Sequence, residues 1–211
     1  MRIIAFDGNV FVGKSTLLGE LSGQIDGMVI PEHSFFVGQV PIDGTHKQCS
    51  IQTQEVYLKA ESLRVPLIGI GTNLLDRSYL SLVAHTYAVN KLRILDMRRD
   101  FLGMLMSAMK DGMVIMPDAY IVVRCEYAIA KSRFALGYKE KGTDSLYISK
   151  EYFSAVDEFN SRWLSVHGGF EIDTSNNYST KQFDELRTAL FSRKKAGLEQ
   201  LTDDLWECLF M

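Results

Sequence analysis

The sequence predicts an α/β fold of three layers, a mainly parallel five-stranded sheet flanked by helices. Three observations predict it. Short, nearly continuous apolar runs alternate with longer helical patterns. Polar and charged residues collect just after those runs. Two glycines, a lysine and two hydroxyls stand directly behind the first run, in "FDGNVFVGKST".

The strand candidates are "RIIAFD" (2–7), "MVIP" (28–31), "TNLLD" (72–76), "AYIVVRC" (119–125) and "GFEID" (169–173). Each is apolar along most of its length, which suits a strand covered on both faces. Helical spacing falls near 14–24, 46–64, 78–110, 126–137, 149–165 and 180–194. In the tail, Leu198, Leu201, Leu205 and Leu209 recur at helical spacing, so 195–211 is expected to pack back on the body. There is no internal repeat, low-complexity block or linker, and prolines occur only at 31, 41, 66 and 117. The expectation is a single domain over residues 1–211, since 211 residues with 46% apolar content can bury one proper core.

Composition narrows the partners. The 23 basic and 26 acidic residues nearly cancel and form no basic stripe, so nucleic acid is not an expected partner. Cys49, Cys125 and Cys208 are widely spaced and form no C-x-x-C pair, which fits a reducing compartment. Asp7 and Gly8 interrupt the N-terminal apolar run before a signal-peptide core could form. The later run "FLGMLMSAM" (101–109) is too short to span a bilayer. The expectation is a cytoplasmic protein with no membrane association.

"GNVFVGKS" (8–15) fits G-x-x-x-x-G-K-[ST]. Average residue usage produces that pattern by chance in about one chain in 140 of this length, so context must decide. Here the match follows a strand candidate and opens a helix candidate, as a phosphate loop requires. Backbone N–H groups from Gly8, Asn9, Val10, Phe11, Val12, Gly13, Lys14, Ser15 and Thr16 would cradle ATP phosphates at the helix N-terminus. Lys14 would reach the terminal phosphates and the Ser15 hydroxyl would help hold Mg²⁺. Phe11 stands where such loops commonly carry glycine; its side chain points either away from the phosphates or toward the acceptor.

In such sheets, ligands bind beyond the carboxyl ends of the strands. Glu32, the pair Asp76–Arg77 and "TSNN" (174–177) lie there. "NKLR" (90–93) has arginine where a guanine-binding motif needs aspartate, and Arg77 follows Asp76 where motor ATPases usually carry a second acid. Asp76 could hold magnesium or a substrate hydroxyl. Arg77 could pair with a transferring or accepting anionic group.

"DGNVFVGKSTL", "PE" (31–32), "IQT" (51–53), "LLDRS" (74–78) and "PDAYIVVRCEYAIAKSRF" (117–134) occur in the order of the deoxynucleoside kinases. "LYISKEYFSAVDEFNSRWL" (146–164) is similar to that family's helix after the lid. The resemblance covers roughly residues 2–175, and thymidylate kinases share its skeleton. It implies a P-loop kinase fold, ATP as donor with Mg²⁺, and a homodimer through helices 46–64 and 78–110. It implies Glu32 as the base for the nucleoside 5′-hydroxyl and Gln52 on the nucleobase. Asp76 would lie near magnesium and the sugar, Arg77 near the transferred phosphoryl. Arg133 and Lys139 would be lid cations on ATP, and 173–177 would touch adenine. Bland readings stand beside these: Glu32 as a loop acid, Gln52 as helix surface, Asp76–Arg77 as a structural pair, Arg133 and Lys139 as solvated charges.

The lid region (about 134–147) departs from the family. Only one arginine occurs in "KSRFALGYKEKGTD", and Gly137 stands where another is expected. Two further readings therefore stay open: a deoxynucleoside monophosphate kinase, or a nucleotide-binding regulatory subunit without turnover. Chemistry favours the nucleoside. A neutral hydroxyl profits from a general base by about 10²–10⁴ in rate, whereas a monophosphate needs cations around it. Helix 46–64 carries only Lys47, Lys59 and, at its far end, Arg64. Among the remaining residues, His33 could be a solvated loop histidine or tune Glu32. Phe35 and Phe36 could stack on a base or fill the core. The methionines at 97–116 suit the core or a dimer surface, and Arg98–Arg99 an exposed helix face.

Overall fold

Five parallel strands lie in the order β2-β3-β1-β4-β5. The computed structural model describes residues 1–37, 47–137, 145–176 and 196–211, without the side chains of 47–49, 137 and 145. The strands are β1 (Arg2–Asp7), β2 (Gly27–Ile30), β3 (Thr72–Asp76), β4 (Ala119–Arg124) and β5 (Phe170–Asp173). All four neighbouring pairs are parallel, with Ile4 opposite Leu74 on one side and Ala119 on the other. All five apolar runs of the sequence are thus strands, within one or two residues at their ends.

The reason for the continuous apolar character is visible in β1. Ile3 and Ala5 face a core built with Leu75, Tyr120 and several helices, whereas Ile4 and Phe6 face the core beneath the first helix. Both sets are buried, so no alternation survives in the sequence.

The described helices are α1 (Lys14–Ile25), α2 (Lys47–Arg64), α3 (Tyr79–Lys91), α4 (Arg98–Lys110), α5 (Tyr127–Gly137), α6 (Lys150–Val166) and α7 (Leu198–Phe210). One expectation is corrected: 78–110 is two helices, not one. Arg93 takes a left-handed backbone (φ 56°), and the Ile94 and Leu95 amides both turn back to the Val89 carbonyl. The turn lets Met97, Phe101, Leu102 and Leu105 bury themselves beside α3. No proline or glycine marks the break, so the sequence carried no stop signal there. The expected helix at 180–194 lies outside the described residues.

The tail packs back as its spacing predicts. Leu201, Leu205, Cys208 and Leu209 are buried, and α7 lies against α6. His167, capping α6, hydrogen-bonds Asp204 of α7 through Nδ1 at 2.5 Å. Met97 and Met109 are buried, and Met104, Met106, Met113 and Met116 pack on the same core. Arg99 is exposed; Arg98 is half-buried, paired with Asp96 and set over the Phe210 ring. No helix among the described residues is long and apolar enough to cross a membrane.

Candidate active site

The loop between β1 and α1 takes positive backbone φ angles at Gly8, Phe11 and Gly13. Gly8 has φ 136°, and a Cβ there would lie 2.2 Å from the Val123 carbonyl oxygen, so only glycine fits against β4. Gly13 has φ 92° and precedes the first turn of α1. Phe11 has φ 60° and packs edge-on against Phe134 of α5, with ring centroids 5.1 Å apart. That contact takes its ring toward α5. Asn9, expected in the phosphate cradle, gives its side chain to α6: Nδ2 donates to the Phe153 carbonyl at 2.9 Å and to Asp157 Oδ1 at 2.7 Å.

Lys14 is buried and folds back over this loop, donating to the Asn9 carbonyl at 2.6 Å and the Gly8 carbonyl at 3.3 Å. Burial, aided by the Arg77 charge, lowers its pKa to about 7 against the pull of Asp76, Glu32 and Asp7. A polyphosphate beside it would restore the charge. Binding of ATP at pH 8 should therefore take up about one proton through Lys14. Calorimetry in buffers of different ionisation enthalpy reads this directly. A binding heat that does not vary with buffer, or an uptake that persists in Lys14→Met, would refute the assignment.

Asp76 and Arg77 end β3. Ser15 Oγ donates to Asp76 Oδ2 at 2.8 Å, and Asp76 Oδ1 is buried without a hydrogen-bond partner among the described residues. One hydroxyl beside one carboxylate with a spare buried lone pair suits Mg²⁺, which takes few protein ligands and completes its shell with phosphate oxygens and water. Among the described residues no group of three or more histidine, cysteine, aspartate or glutamate side chains is placed to hold a metal ion.

Arg77 is non-glycine at φ 62°, a strained position. From this position its guanidinium reaches Glu32. Nε donates to Glu32 Oε2 at 2.8 Å, and NH1 donates to the Gly8 carbonyl at 3.1 Å and Ser81 Oγ at 3.3 Å. Burial alone would raise the Glu32 pKa. Arg77, the Ser34 hydroxyl, His33 and Lys14 outweigh it and hold the carboxyl at about 2. Glu32 is thus ionised throughout the neutral range.

Two buried supports were missed in the sequence. Asp7 accepts from the Ser78 amide at 3.0 Å and from the Ser78 and Ser81 hydroxyls at 2.6 Å each, fixing the start of α3. Arg64 donates to the Asp76 carbonyl at 3.1 Å and the Arg77 carbonyl at 2.8 Å, and pairs with Glu61 at 2.6 Å. Glu61 in turn meets His33 Nδ1 at 3.2 Å, so His33 is a buried member of this chain and not a solvated histidine.

A cavity of about 890 Å³ joins these groups. Its walls include the loop, Glu32, Asp76, Arg77 and Arg133, so Lys14, Ser15, Glu32, Asp76, Arg77 and Arg133 are brought together. Gln52 is not. It is exposed on α2, outside the cavity, while Gln54 is buried and lines the wall, its Oε1 without a hydrogen-bond partner among the described residues. Two residues turn a helix by about 200°, so packing selects the second glutamine. Phe35 also lines the cavity and is 77% exposed, so it does not fill the core.

Arg133 sits beside Gly13 but is engaged by protein. It donates to Thr174 Oγ1 at 3.1 Å, the Thr174 carbonyl at 2.8 Å and the Phe11 carbonyl at 3.4 Å. Thr174 is itself buried, with its hydroxyl on the Val12 and Arg124 carbonyls. Of the 173–177 stretch, Thr174 therefore ties β5 to the phosphate loop. Lys139 and most of the expected lid lie outside the described residues, as does Asn177.

No protein-family model and no curated protein matches the chain. Solved structures do. The chain is similar to deoxyadenosine kinase from M. mycoides in three bound forms: with the products dCMP and a flexible dCDP, with dCTP, and with dATP. In each case the identity is 19% and the TM-score 0.59; the match covers 89% of this chain and 96% or 97% of that one. The chain shares the α/β fold of these structures, a five-stranded parallel sheet flanked by helices.

Proposed function

We propose that the chain is a phosphotransferase that uses Mg-ATP to phosphorylate the 5′-hydroxyl of a deoxynucleoside. The observation that carries this reading is the Glu32–Arg77 pair, set on the wall of the same cavity as the phosphate loop. A carboxylate there can accept the hydroxyl proton as the oxygen attacks. Arg77, already positioned by that carboxylate, can follow the charge of the transferring group. Mg²⁺ held by Ser15 and Asp76 would neutralise phosphate charge during transfer. Lys14 would leave the loop carbonyls for the terminal phosphates. Arg133, at the loop mouth, would exchange protein acceptors for phosphate oxygens.

The acceptor wall supports a neutral substrate. Of the α2 cations expected from the sequence, Lys59 is exposed, and Arg64 is fully buried and committed to Glu61 and two carbonyls. Neither is offered to a second phosphate; the Lys47 side chain is outside the described residues. The likeness to a deoxyadenosine kinase supports the same choice through the fold.

Incubation with Mg-ATP and each deoxynucleoside or deoxynucleoside monophosphate, followed by ADP release, tests the proposal. ADP should form with at least one deoxynucleoside. Turnover with monophosphates alone would replace the acceptor. Tight ATP binding without turnover on any of them would make the chain a nucleotide-binding regulatory subunit.

A further inference from the structure

The cavity runs well beyond Glu32 and Arg77. Along α3 it is lined by Ser81, Leu82, His85 and Val89, and from Ser81 to Val89 a helix rises about 12 Å. On the facing helix α6, Tyr152, Val156 and Asn160 line it at four-residue spacing, one stripe of one face. Leu95 and Met97, from the turn between α3 and α4, close this end. Most of these side chains are apolar; of the polar ones, Ser81 is bonded to Asp7 and His85 to the Tyr152 hydroxyl, which leaves Asn160.

Asn160 is 1% exposed, and its Nδ2 is buried with no hydrogen-bond partner among the described residues. It is the one amide on the buried face of α6, whose other members are Tyr152, Phe153, Ala155, Val156, Phe159 and Trp163. An asparagine in a helix interior is a poor helix former, and a buried donor left unpaired is destabilising. Leucine has nearly the same size and would serve the core better. A donor held at such a position, on the wall of a ligand-sized cavity, has its natural partner in the ligand.

We infer that Asn160 is a specificity-determining residue of the acceptor site, donating its Nδ2–H to a ring nitrogen or carbonyl oxygen of the nucleobase. This rests on the nucleoside reading of the cavity and deepens it. The phosphate loop and Glu32 fix the reacting end, and the length of the cavity along α3 carries the heterocycle toward α6. Gln54, on α2, offers a complementary acceptor, its Oε1 buried without a partner among the described residues.

The test uses the full chain with deoxynucleosides and their 5′-monophosphates, each beside analogues in which one ring nitrogen becomes CH or one carbonyl is removed. Kd is measured by calorimetry. In the parent, one such replacement should weaken binding about tenfold or more. In Asn160→Leu the natural base should lose about that same factor, and the replacement should then cost nothing further. The Kd for ATP should stay within about twofold and the melting temperature should hold or rise. Asn160→Ser, which keeps a donor, should retain part of the preference and serves if the leucine variant fails to fold.

Identical discrimination of the analogue series by parent and variants would overturn the inference while leaving the kinase reading intact. Binding of monophosphates alone would overturn the acceptor assignment, and the same comparison on monophosphates would then decide for or against Asn160. Binding of neither class would remove both.

Discussion

Glu32→Gln should lower kcat for nucleoside phosphorylation by about 10²–10⁴-fold, roughly 3–5 kcal/mol of barrier, with the KM for ATP changed less than about threefold. The substitution keeps shape and removes charge. It also places an amide where Arg77 Nε now meets a carboxylate at 2.8 Å, so the guanidinium loses its anchor as the hydroxyl loses its proton acceptor. A carboxyl held at about pKa 2 is a weak base toward water. It suffices here because the hydroxyl becomes strongly acidic only as its bond to phosphorus forms, and a permanently ionised acceptor is then ready at every working pH.

The sign of the pH dependence follows. Glu32 has a depressed pKa, so its contribution is fully present above the ordinary carboxylate range and lost only as pH falls toward 2. The acid side of the rate profile should stay flat down to about pH 4 unless the fold fails first. Lys14 acts on the other side. In the free protein it loses its proton above about 7, so kcat/KM for ATP should decline there while kcat, read on the nucleotide-bound form, holds. A Glu32→Gln enzyme within about threefold of the parent would show that the carboxylate is no base. Arg77→Lys separates the two losses, since it keeps a positive charge and removes the planar fork.

The fold was legible because its signals were local and redundant. Five apolar runs specified a parallel sheet; β1, β3 and β4 are covered on both faces as expected, whereas the edge strands β2 and β5 are half-exposed, with Met28 and Val29 open to solvent. The glycines of the loop were legible because their backbone demands are absolute, as the contact of Gly8 with Val123 shows. Lys14, Ser15, Glu32, Asp76 and Arg77 could be read from position alone, since strand ends converge on one edge. Residues inside helices could not. Gln52 and Gln54 differ only in which way they face, and α2 carries no strong apolar stripe to fix its rotation before packing does. Asn160 belongs to no motif, and only its burial on an apolar face distinguishes it. The turn at Arg93 has no glycine or proline to announce it. Arg64 reads in the sequence as a cation at the far end of a helix; its role depends on carbonyls 12 and 13 residues away in sequence.

Arg64→Met should destabilise the fold by about 3–5 kcal/mol, since it strands the buried Glu61 carboxylate beside His33 alone. The side chains of Glu61 and Arg64 are fully buried, and the pair is not fully satisfied: Arg64 Nε and Glu61 Oε2 lack partners among the described residues. Such a pair is a poor source of stability, because two apolar residues of similar volume would do as well. Its retention is explained by what Arg64 holds. Its NH2 grips the Asp76 and Arg77 carbonyls, one in each of the two peptides flanking Arg77, which sits at φ 62° against a cost of about 1–2 kcal/mol for a left-handed residue. That conformation directs Asp76 to Ser15 and Arg77 to Glu32. The double variant Arg64→Met, Glu61→Leu should therefore recover most of the stability, because no buried charge is left unpaired. Its kcat should remain about tenfold or more below the parent, because the peptide is free to relax and geometry of this kind is worth that much. Denaturant unfolding measures the first effect and single-turnover kinetics the second. A double variant as unstable as the single one would show that the pair is not the source of the loss, and parental kcat in the double would show that the carbonyl grip positions nothing.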